Sequence, residues 1–193
     1  MGNETRDIVE VKKVIIVGPG FEQRISKMAY VVEGMRYPVT VWAEDNRVSR
    51  EFEEYIGNIE FRKIPIDERT KRLPFGRTRR VFLEKAFADE FRDSERSLVI
   101  SRDVTYGYIV SKALSKFDRS KYFHVVDIAD NYDLLYDALS NPVMRLVSRL
   151  MFTHLTKAAI SSSDGCFLVC LANEFRLRKA YPKQMIARKT WLV

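Results

Sequence analysis

The sequence predicts an α/β protein, a Rossmann-like doubly wound domain with a mostly parallel sheet of about seven strands and helices on both faces. Short β-branched runs alternate with helix-patterned segments along the whole chain, and helical crossovers place consecutive strands parallel. The 193 residues, 46% hydrophobic and 31% charged, suffice for one soluble core. No repeat or linker interrupts the alternation, so we expect a single domain over 1–193.

Each strand is predicted from a short apolar run bounded by turn residues, and each helix from three- and four-residue apolar spacing. The predicted strands are 14–17, 39–43, 59–64, 97–101, 122–128, 165–169 and 190–193. The predicted helices are 24–35, 48–56, 81–91, 106–114, 142–160 and 172–180, and Pro142 suits a first helical turn. Ligands of such sheets bind beyond the carboxyl ends of the strands, so the loops after strands one, four and five are the predicted site.

The net charge of +7 is concentrated in one segment. Residues 62–80 contain eight Lys or Arg and two acids, which leaves +1 for the other 174 residues. We expect a basic surface loop over 65–80 that attracts phosphates, with a plain solvated loop as the alternative. Apolar residues within it favour an anionic membrane surface, whereas nucleic acid is unlikely because no recognised motif is present. The residues predicted for this surface are Arg69, Lys71, Arg72, Arg77, Arg79 and Arg80.

The predicted location is cytoplasmic or peripheral at the inner face of a membrane. The longest apolar run, 166–172, is far shorter than the ~20 residues of a membrane-spanning helix. The N-terminal residues are polar and acidic and lack the apolar core of a signal peptide. Cys166 and Cys170 are predicted to be reduced core residues, because two cysteines define neither a disulfide framework nor a metal site.

The loop after strand one contains Gly18 and Gly20 and leads into a helix with Arg24 near its start. Two glycines before a helix allow a ligand to approach backbone N–H groups. Glu44 ends strand two, where a ribose-binding acid would lie in an NAD(P)- or FAD-binding domain. Because Gln23 replaces the third glycine of that fingerprint, an oxidoreductase is the alternative function. A tight turn without a ligand is a further reading.

The loops after strands four and five carry polar side chains. Arg102 is a candidate fork for phosphate or carboxylate, and Asp103 is a candidate helix cap. Asp130, in an acidic loop after strand five, is the best-placed general base. His124 and His154 are predicted to be packing residues, and their separation provides no catalytic triad.

Four stretches in the same order resemble the N-terminal domain of GT-B glycosyltransferases, in particular the retaining group 1, or family 4, type. They read VIIVGPGFEQRISKMAYVVEGMRYPVTVWAE, SLVISRDVTYGYIVSKAL, HVVDIADNYD and SRLMFTHLTKAAISSSDGCFLVCLANEFRLRKAYPK. The resemblance is one of pattern and spans about residues 13–193. Many members place a His immediately before the acidic residue of the fifth-strand loop, where this sequence has Ala129.

The resemblance implies the acceptor-binding half of a sugar-transferring enzyme, whose acceptor is a sugar or a lipid-linked or membrane-presented molecule. The implied acceptor-binding residues are Gly18, Gly20, Arg24, Arg102, Asp103 and Tyr106, with Asp130 as catalytic residue. It also implies that this domain binds no cofactor or metal. The nucleotide-sugar donor is expected on a separate donor-binding domain or subunit, without which this chain would be inactive.

Overall fold

The computed structural model describes residues 11–20, 23–45, 59–66, 77–92, 96–129, 139–186 and 188–192. Seven parallel strands form one sheet in the order β3-β2-β1-β4-β5-β6-β7, which confirms the predicted fold class. The strands are β1 Lys13–Gly20, β2 Val39–Asp45, β3 Glu60–Lys63, β4 Ser97–Arg102, β5 Tyr122–Ile128, β6 Gly165–Leu168 and β7 Lys189–Leu192. The order reverses between β1 and β4, so the loops after these strands diverge and leave a crevice at their carboxyl ends.

Helices alternate with these strands as the apolar spacing predicts. They are α1 Gln23–Gly34, α2 Arg77–Glu90, α3 Asp103–Leu114, α4 Pro142–Ser162, α5 Leu171–Ala180 and α6 Pro182–Ile186, with a 3₁₀ helix at Arg119–Lys121. The predicted helix 48–56 lies outside the described residues. Helix α2 begins four residues earlier than predicted, because Arg80 pairs with Glu84 one turn later and extends the helix toward its N-terminus. Residues 77–80 are therefore helical and not part of a basic loop over 65–80.

The core lies on both faces of the sheet. One face packs Val14, Ile16 and Val41 against Ile25 and Ala29 of α1. The opposite face packs against α2, α3, α4 and α6 in two clusters. Its largest fully buried side chains include Trp42, Phe87, Leu114, Leu155 and Met185. Because successive side chains of a strand point to opposite faces of the sheet, each buried strand contributes apolar side chains to both halves of the core.

Helices α3 and α4 approach each other closely at Gly107. A Cβ atom built on Gly107 would lie 2.9 Å from Val126 Cγ1 and 3.0 Å from Ala159 Cβ. Helix α4 begins with Pro142 at its first turn, as predicted, and the Asn141 carboxamide oxygen accepts the N–H of Val143 at 2.9 Å. None of the helices in the described part of the chain combines the length and the apolar character needed to cross a bilayer.

The histidine and cysteine predictions are half correct. His124 is fully buried and its Nε2 lies 2.9 Å from Ser101 Oγ, so it is a core histidine. His154 is exposed instead, because the outward side of α4 carries it, although its ring lies 6.1 Å from that of Tyr108. Cys166 is buried in a reduced state, whereas Cys170 is an exposed thiol just before α5.

Candidate functional site

The crevice between β1 and β4 is crossed by one ion pair that joins α1 to β5. Arg24, in the first turn of α1, donates from Nε to Asp127 Oδ2 at 2.7 Å and from Nη2 to Asp127 Oδ1 at 2.6 Å. This bidentate geometry is the strongest form of an arginine–carboxylate contact. Asp127 is fully buried, whereas about a quarter of the Arg24 side chain is exposed. The carboxylate thus orients a guanidinium that still faces the crevice.

Arg102 brings a second guanidinium to the same carboxylate. It ends β4 directly beside Asp127 in the register of the sheet, and its Nη1 lies 3.7 Å from Asp127 Oδ2. Its side chain is almost buried, with 11% exposed. Arg24, Arg102 and Asp127, which we call the crevice cluster, bring three elements of the fold together at the floor of the crevice.

Gly18 is required by packing at this point rather than by an unusual backbone. A Cβ atom on Gly18 would lie 2.5 Å from Ile25 Cδ1 and 3.0 Å from Arg102 Cβ. No described glycine has a positive φ, so conformational freedom is not the reason for it. Gly20 is more open, since the nearest atom to an added Cβ would be Asp45 Cβ at 3.8 Å. Of the two glycines, Gly20 leaves more room at the strand end for a ligand.

A second cluster, formed by Glu44, Arg79 and Tyr106, lies on the other side of β1. Glu44 Oε1 accepts hydrogen bonds from Arg79 Nε and from the Tyr106 hydroxyl. All three side chains are largely buried. Burial, followed by the hydrogen bond to Glu44, raises the pKa of Tyr106 far above its ordinary value, so its hydroxyl remains a donor. Burial alone would lower the pKa of Arg79, but the contact with Glu44 raises it.

This second cluster is closed and joins α2 and α3 to the end of β2. Tyr106 was predicted to bind an acceptor, yet it is 3% exposed and its hydroxyl is used by Glu44. Arg79 was predicted to face a membrane, which is wrong: it is 7% exposed and points inward, because Glu44 neutralises it there. Glu44 in turn is engaged within the protein rather than presented to a ribose.

Asp103 shapes the turn between β4 and α3. Its Oδ1 accepts the N–H of Thr105 at 2.7 Å and that of Tyr106 at 3.1 Å, which confirms the predicted capping role. Its φ of 61° lies in the left-handed region, where a non-glycine residue is uncommon and where the short Asp side chain is tolerated through such local hydrogen bonds. The sharp turn brings the start of α3 to the rim of the crevice.

The described charges at the crevice do not add up to a positive site. Arg24 and Arg102 lie against Asp127, and Asp45 and Asp103 are further carboxylates at the neighbouring strand ends. The described part of the crevice therefore has no excess positive charge, but it has oriented hydrogen-bond donors and acceptors. Such a surface is better suited to hydroxyl groups than to a pyrophosphate, which requires excess positive charge or free N–H groups.

The predicted site residues thus separate into groups. The structure places Gly18 against Arg102, and Arg24 and Arg102 against Asp127, whereas Gly20 lies beside Asp45 and Asp103 caps α3. Asp130 and the basic residues Arg69, Lys71 and Arg72 lie outside the described residues. Arg77 and Arg80 are exposed in the first turn of α2, where Arg80 contacts Glu84 at 3.2 Å.

The pairing of Arg24 with Asp127 was not predicted from the sequence. Asp127 was not among the predicted site residues, and only Asp130 was singled out near the end of strand five. The sequence does contain a signal for this ion pair. Asp127 is the one acid of the buried strand β5, and a buried carboxylate requires a cation within reach. Arg24 follows the turn after β1, two strands away from β5 in the sheet. Because Arg24 and Asp127 are 103 residues apart in the sequence, a local pattern does not reveal that they are in contact.

No protein-family model matches this chain, and no curated protein matches it in sequence. Among solved structures it resembles plant UDP-glycosyltransferases of the GT-B fold. It matches UGT73P12 of Glycyrrhiza uralensis, complexed with glycyrrhetinic acid 3-O-monoglucuronide, at 13% identity and a TM-score of 0.55, over 95% of this chain and 49% of that one.

The chain also matches UGT2 of Phytolacca americana. The complex with UDP-2fluoro-glucose and pterostilbene gives 7% identity and a TM-score of 0.62 over 95% of this chain and 54% of that one. The apo form of the same enzyme gives 10% identity and a TM-score of 0.54, over 94% of this chain and 51% of that one. The chain spans about half the length of these enzymes. At such identities the likeness shows the fold alone, a Rossmann-like α/β domain.

Proposed function

We propose that this chain is the acceptor-binding half of a GT-B glycosyltransferase of the retaining family 4 type. The observation that carries the proposal is the oriented Arg24–Asp127 pair at the strand-order reversal, in a fold matched over 95% of the chain by about half of a glycosyltransferase chain. The nucleotide-sugar donor binds a separate donor-binding domain or subunit. This chain alone then binds an acceptor without transferring sugar to it.

The chemistry of the crevice supports a hydroxyl-bearing acceptor. Asp127 holds the guanidinium of Arg24 in a fixed direction, and the exposed part of that group can donate to an acceptor oxygen. Gly20 leaves open space at the neighbouring strand end. Asp130, which follows β5 along the chain, is the residue we propose as the base near the attacking hydroxyl.

The alternative of an NAD(P)- or FAD-binding oxidoreductase is less well supported. Such a domain uses the acid at the end of β2 for a ribose hydroxyl. Here Glu44 is occupied by Arg79 and Tyr106, and Gly18 serves the packing of Ile25 and Arg102. A rise in melting temperature with NAD(H), NADP(H) or FAD would support this alternative over sugar transfer.

Acceptor binding is tested by isothermal titration of the purified chain with pterostilbene, glycyrrhetinic acid 3-O-monoglucuronide, a monosaccharide and a short polyprenyl phosphate. We expect at least one acceptor to bind and UDP-glucose not to bind. Arg24→Met should weaken that binding about tenfold, the loss of one charge-assisted hydrogen bond. Lys27→Met, on the exposed side of the same helix, is the matched control. Binding of UDP-glucose without any acceptor would contradict the proposal.

We further propose that the acceptor is lipid-linked or presented at an anionic membrane. This rests on the basic residues of 62–80, among which Lys63, Arg77 and Arg80 are described and exposed, whereas Arg79 is buried against Glu44 and is left out. Each Lys or Arg near an anionic bilayer contributes about 1 kcal/mol. Replacing Arg77 and Arg80 with Gln should weaken binding to an acceptor carried on anionic vesicles, but it should not weaken binding to the same acceptor in solution without vesicles. Equal effects in both settings would instead place these arginines in acceptor recognition itself.

A further inference from the structure

The first half of α4 carries apolar side chains that the described part of the chain leaves exposed. Val143, Met144, Leu146, Val147 and Leu150 are each more than half exposed. Of residues 142–150 only Ser148 is half-buried, so about two and a half turns of helix are open to solvent on nearly all sides. An isolated helix of this length is marginal in water, and one that is apolar around its circumference is typically covered by protein or lipid.

The length of α4 explains why this half has no neighbour among the described residues. Its 21 residues extend about 31 Å, whereas the seven residues of β5 extend about 23 Å. All four of its buried residues lie at or after Leu155. Because α4 runs back from the carboxyl end of β5, its exposed half projects past the same edge of the sheet that carries the crevice.

The charges along α4 are all positive and therefore favour an anionic partner. Residues 139–163 contain Arg145, Arg149 and Lys157 and no acid. Arg145 donates to the Leu139 carbonyl at 2.7 Å, which directs its guanidinium toward the chain just before α4. Such a helix complements an anionic bilayer. Its cations contact the anionic headgroups, and its apolar side chains enter the boundary of the acyl chains.

Helix α5 repeats the pattern on the same face of the sheet as α4. It starts at the carboxyl end of β6, and Leu177 of α5 and Leu155 of α4 belong to one apolar cluster. Leu171 and Phe175, one turn apart, are each about two-thirds exposed or more, and Arg176 and Lys179 are exposed next to them. The one acid of α5, Glu174, pairs with Arg178 at 2.7 Å and so does not oppose these cations.

We propose that the exposed half of α4 and the outer side of α5, together the α4–α5 surface, dock on an anionic lipid bilayer. The contact is interfacial, and it holds the crevice edge toward the membrane. This inference deepens the proposed function. It rests on that function only for the purpose of docking, which would bring a membrane-held acceptor to the crevice. The docking itself requires no acceptor.

Co-sedimentation of the full chain with vesicles tests the docking directly. We expect binding to phosphatidylcholine containing about one third phosphatidylglycerol, little binding to phosphatidylcholine alone, and a loss of binding between about 0.05 and 0.5 M salt as the Debye length shortens. Absence of binding, or equal binding to both vesicles, would overturn the proposal.

Variants locate the contact. Leu146→Gln with Leu150→Gln should weaken vesicle binding at least tenfold, because two exposed leucines would otherwise enter the bilayer. Val31→Gln with Met35→Gln, two exposed apolar residues at the end of α1, is the matched control and should bind as the wild type does. Arg149→Gln should weaken binding about fivefold, and Lys112→Gln, an exposed cation on α3, should not. Unchanged binding of the double leucine variant would refute the α4–α5 surface.

Two further measurements separate the outcomes. A polarity-sensitive dye on Cys170, the exposed thiol next to Leu171, should shift to the blue on anionic vesicles, and an unshifted dye in bound protein would exclude α5 from the contact. Sedimentation velocity without lipid should show a monomer. A dimer that the double leucine variant abolishes would mean that a second copy covers this surface instead. Acceptor titration in solution is independent of all of these, so the proposed function can fail while docking holds, and the reverse.

Discussion

The two halves of α4 share an apolar composition but differ in what surrounds them. Its second half places Leu155, Ala159 and Ile160 against β5 and β6, where each is fully buried. Its first half carries as many large apolar side chains, and none is buried. The residues 143, 147 and 150 lie on the side of the helix opposite to 155 and 159. Helix formation is therefore common to both halves, while the stabilising contacts belong to the second half alone.

The largest expected effect is at Leu155. Leu155→Ala should lower the free energy of unfolding by about 3 kcal/mol, since it removes a fully buried side chain and leaves a cavity in the cluster under α4. Urea denaturation of the purified chain measures it. A loss below about 1 kcal/mol would mean that the second half of α4 contributes no more packing than the first.

A pH effect follows from the same half of α4, because the end of this helix seals His124 from water. Burial, then the charge of Arg119, lowers the pKa of His124 to about 3, from 6.5 in the unfolded chain. Above pH 6.5 both states are neutral, and below it only the unfolded state takes up the proton. Stability should therefore fall by about 2 kcal/mol from pH 7 to pH 5 through this group.

Urea titrations at the two pH values measure this change. His124→Asn should lose this component of the pH dependence, although it also costs stability at pH 7. His154→Asn should retain it, because His154 is exposed. If both variants follow the wild-type curve, the acid sensitivity has another origin.

The close approach of α3 to α4 predicts a smaller loss. Gly107→Ala should lower stability by about 1 kcal/mol, because the strain of a methyl group beside Val126 and Ala159 exceeds the gain of about 1 kcal/mol in helix propensity. Gly34→Ala at the end of α1 is the matched control, since nothing lies within 4 Å of its added Cβ. Thermal or urea unfolding compares the two. A stabilised Gly107→Ala variant would show that the two helices can separate freely.

The smallest effect is expected in the first half of α4. Leu150→Ala should change the free energy of unfolding by less than about 0.5 kcal/mol in the absence of lipid, because its side chain is 63% exposed. The same urea titration used for Leu155→Ala provides the comparison. A loss near that of Leu155→Ala would mean that the chain itself covers this helix in solution.

The sequence predicted the fold well because strand and helix signals are local. All seven strands and the predicted helices that could be compared lie close to where apolar runs and spacing placed them, whereas the short helix α6 was not predicted. The start of α2 was missed, because an Arg80–Glu84 contact, and not an apolar pattern, stabilises its first turn. Arg79 was misassigned for a related reason, since its partner Glu44 is 35 residues away and invisible to a local charge count.

The site was predictable in position but not in detail. Crossover topology alone places Arg24, Arg102 and Asp103 at one edge. Which of them pair depends on side-chain direction and register, as the neighbouring Arg102 and Asp127 show. The exposed half of α4 was also not foreseen, because apolar spacing indicates that a helix forms and does not indicate whether anything lies beside it.

The contact between Arg24 and Asp127 has a kinetic consequence. These residues are 103 positions apart, and the pair forms only when β1, β4 and β5 are already aligned. Closing so long a loop is favourable only after the intervening strands have assembled. We therefore expect the pair to contribute little to the folding transition state, so that its removal accelerates unfolding more than it slows folding. On this expectation the floor of the crevice prolongs the lifetime of the assembled sheet rather than directing its formation.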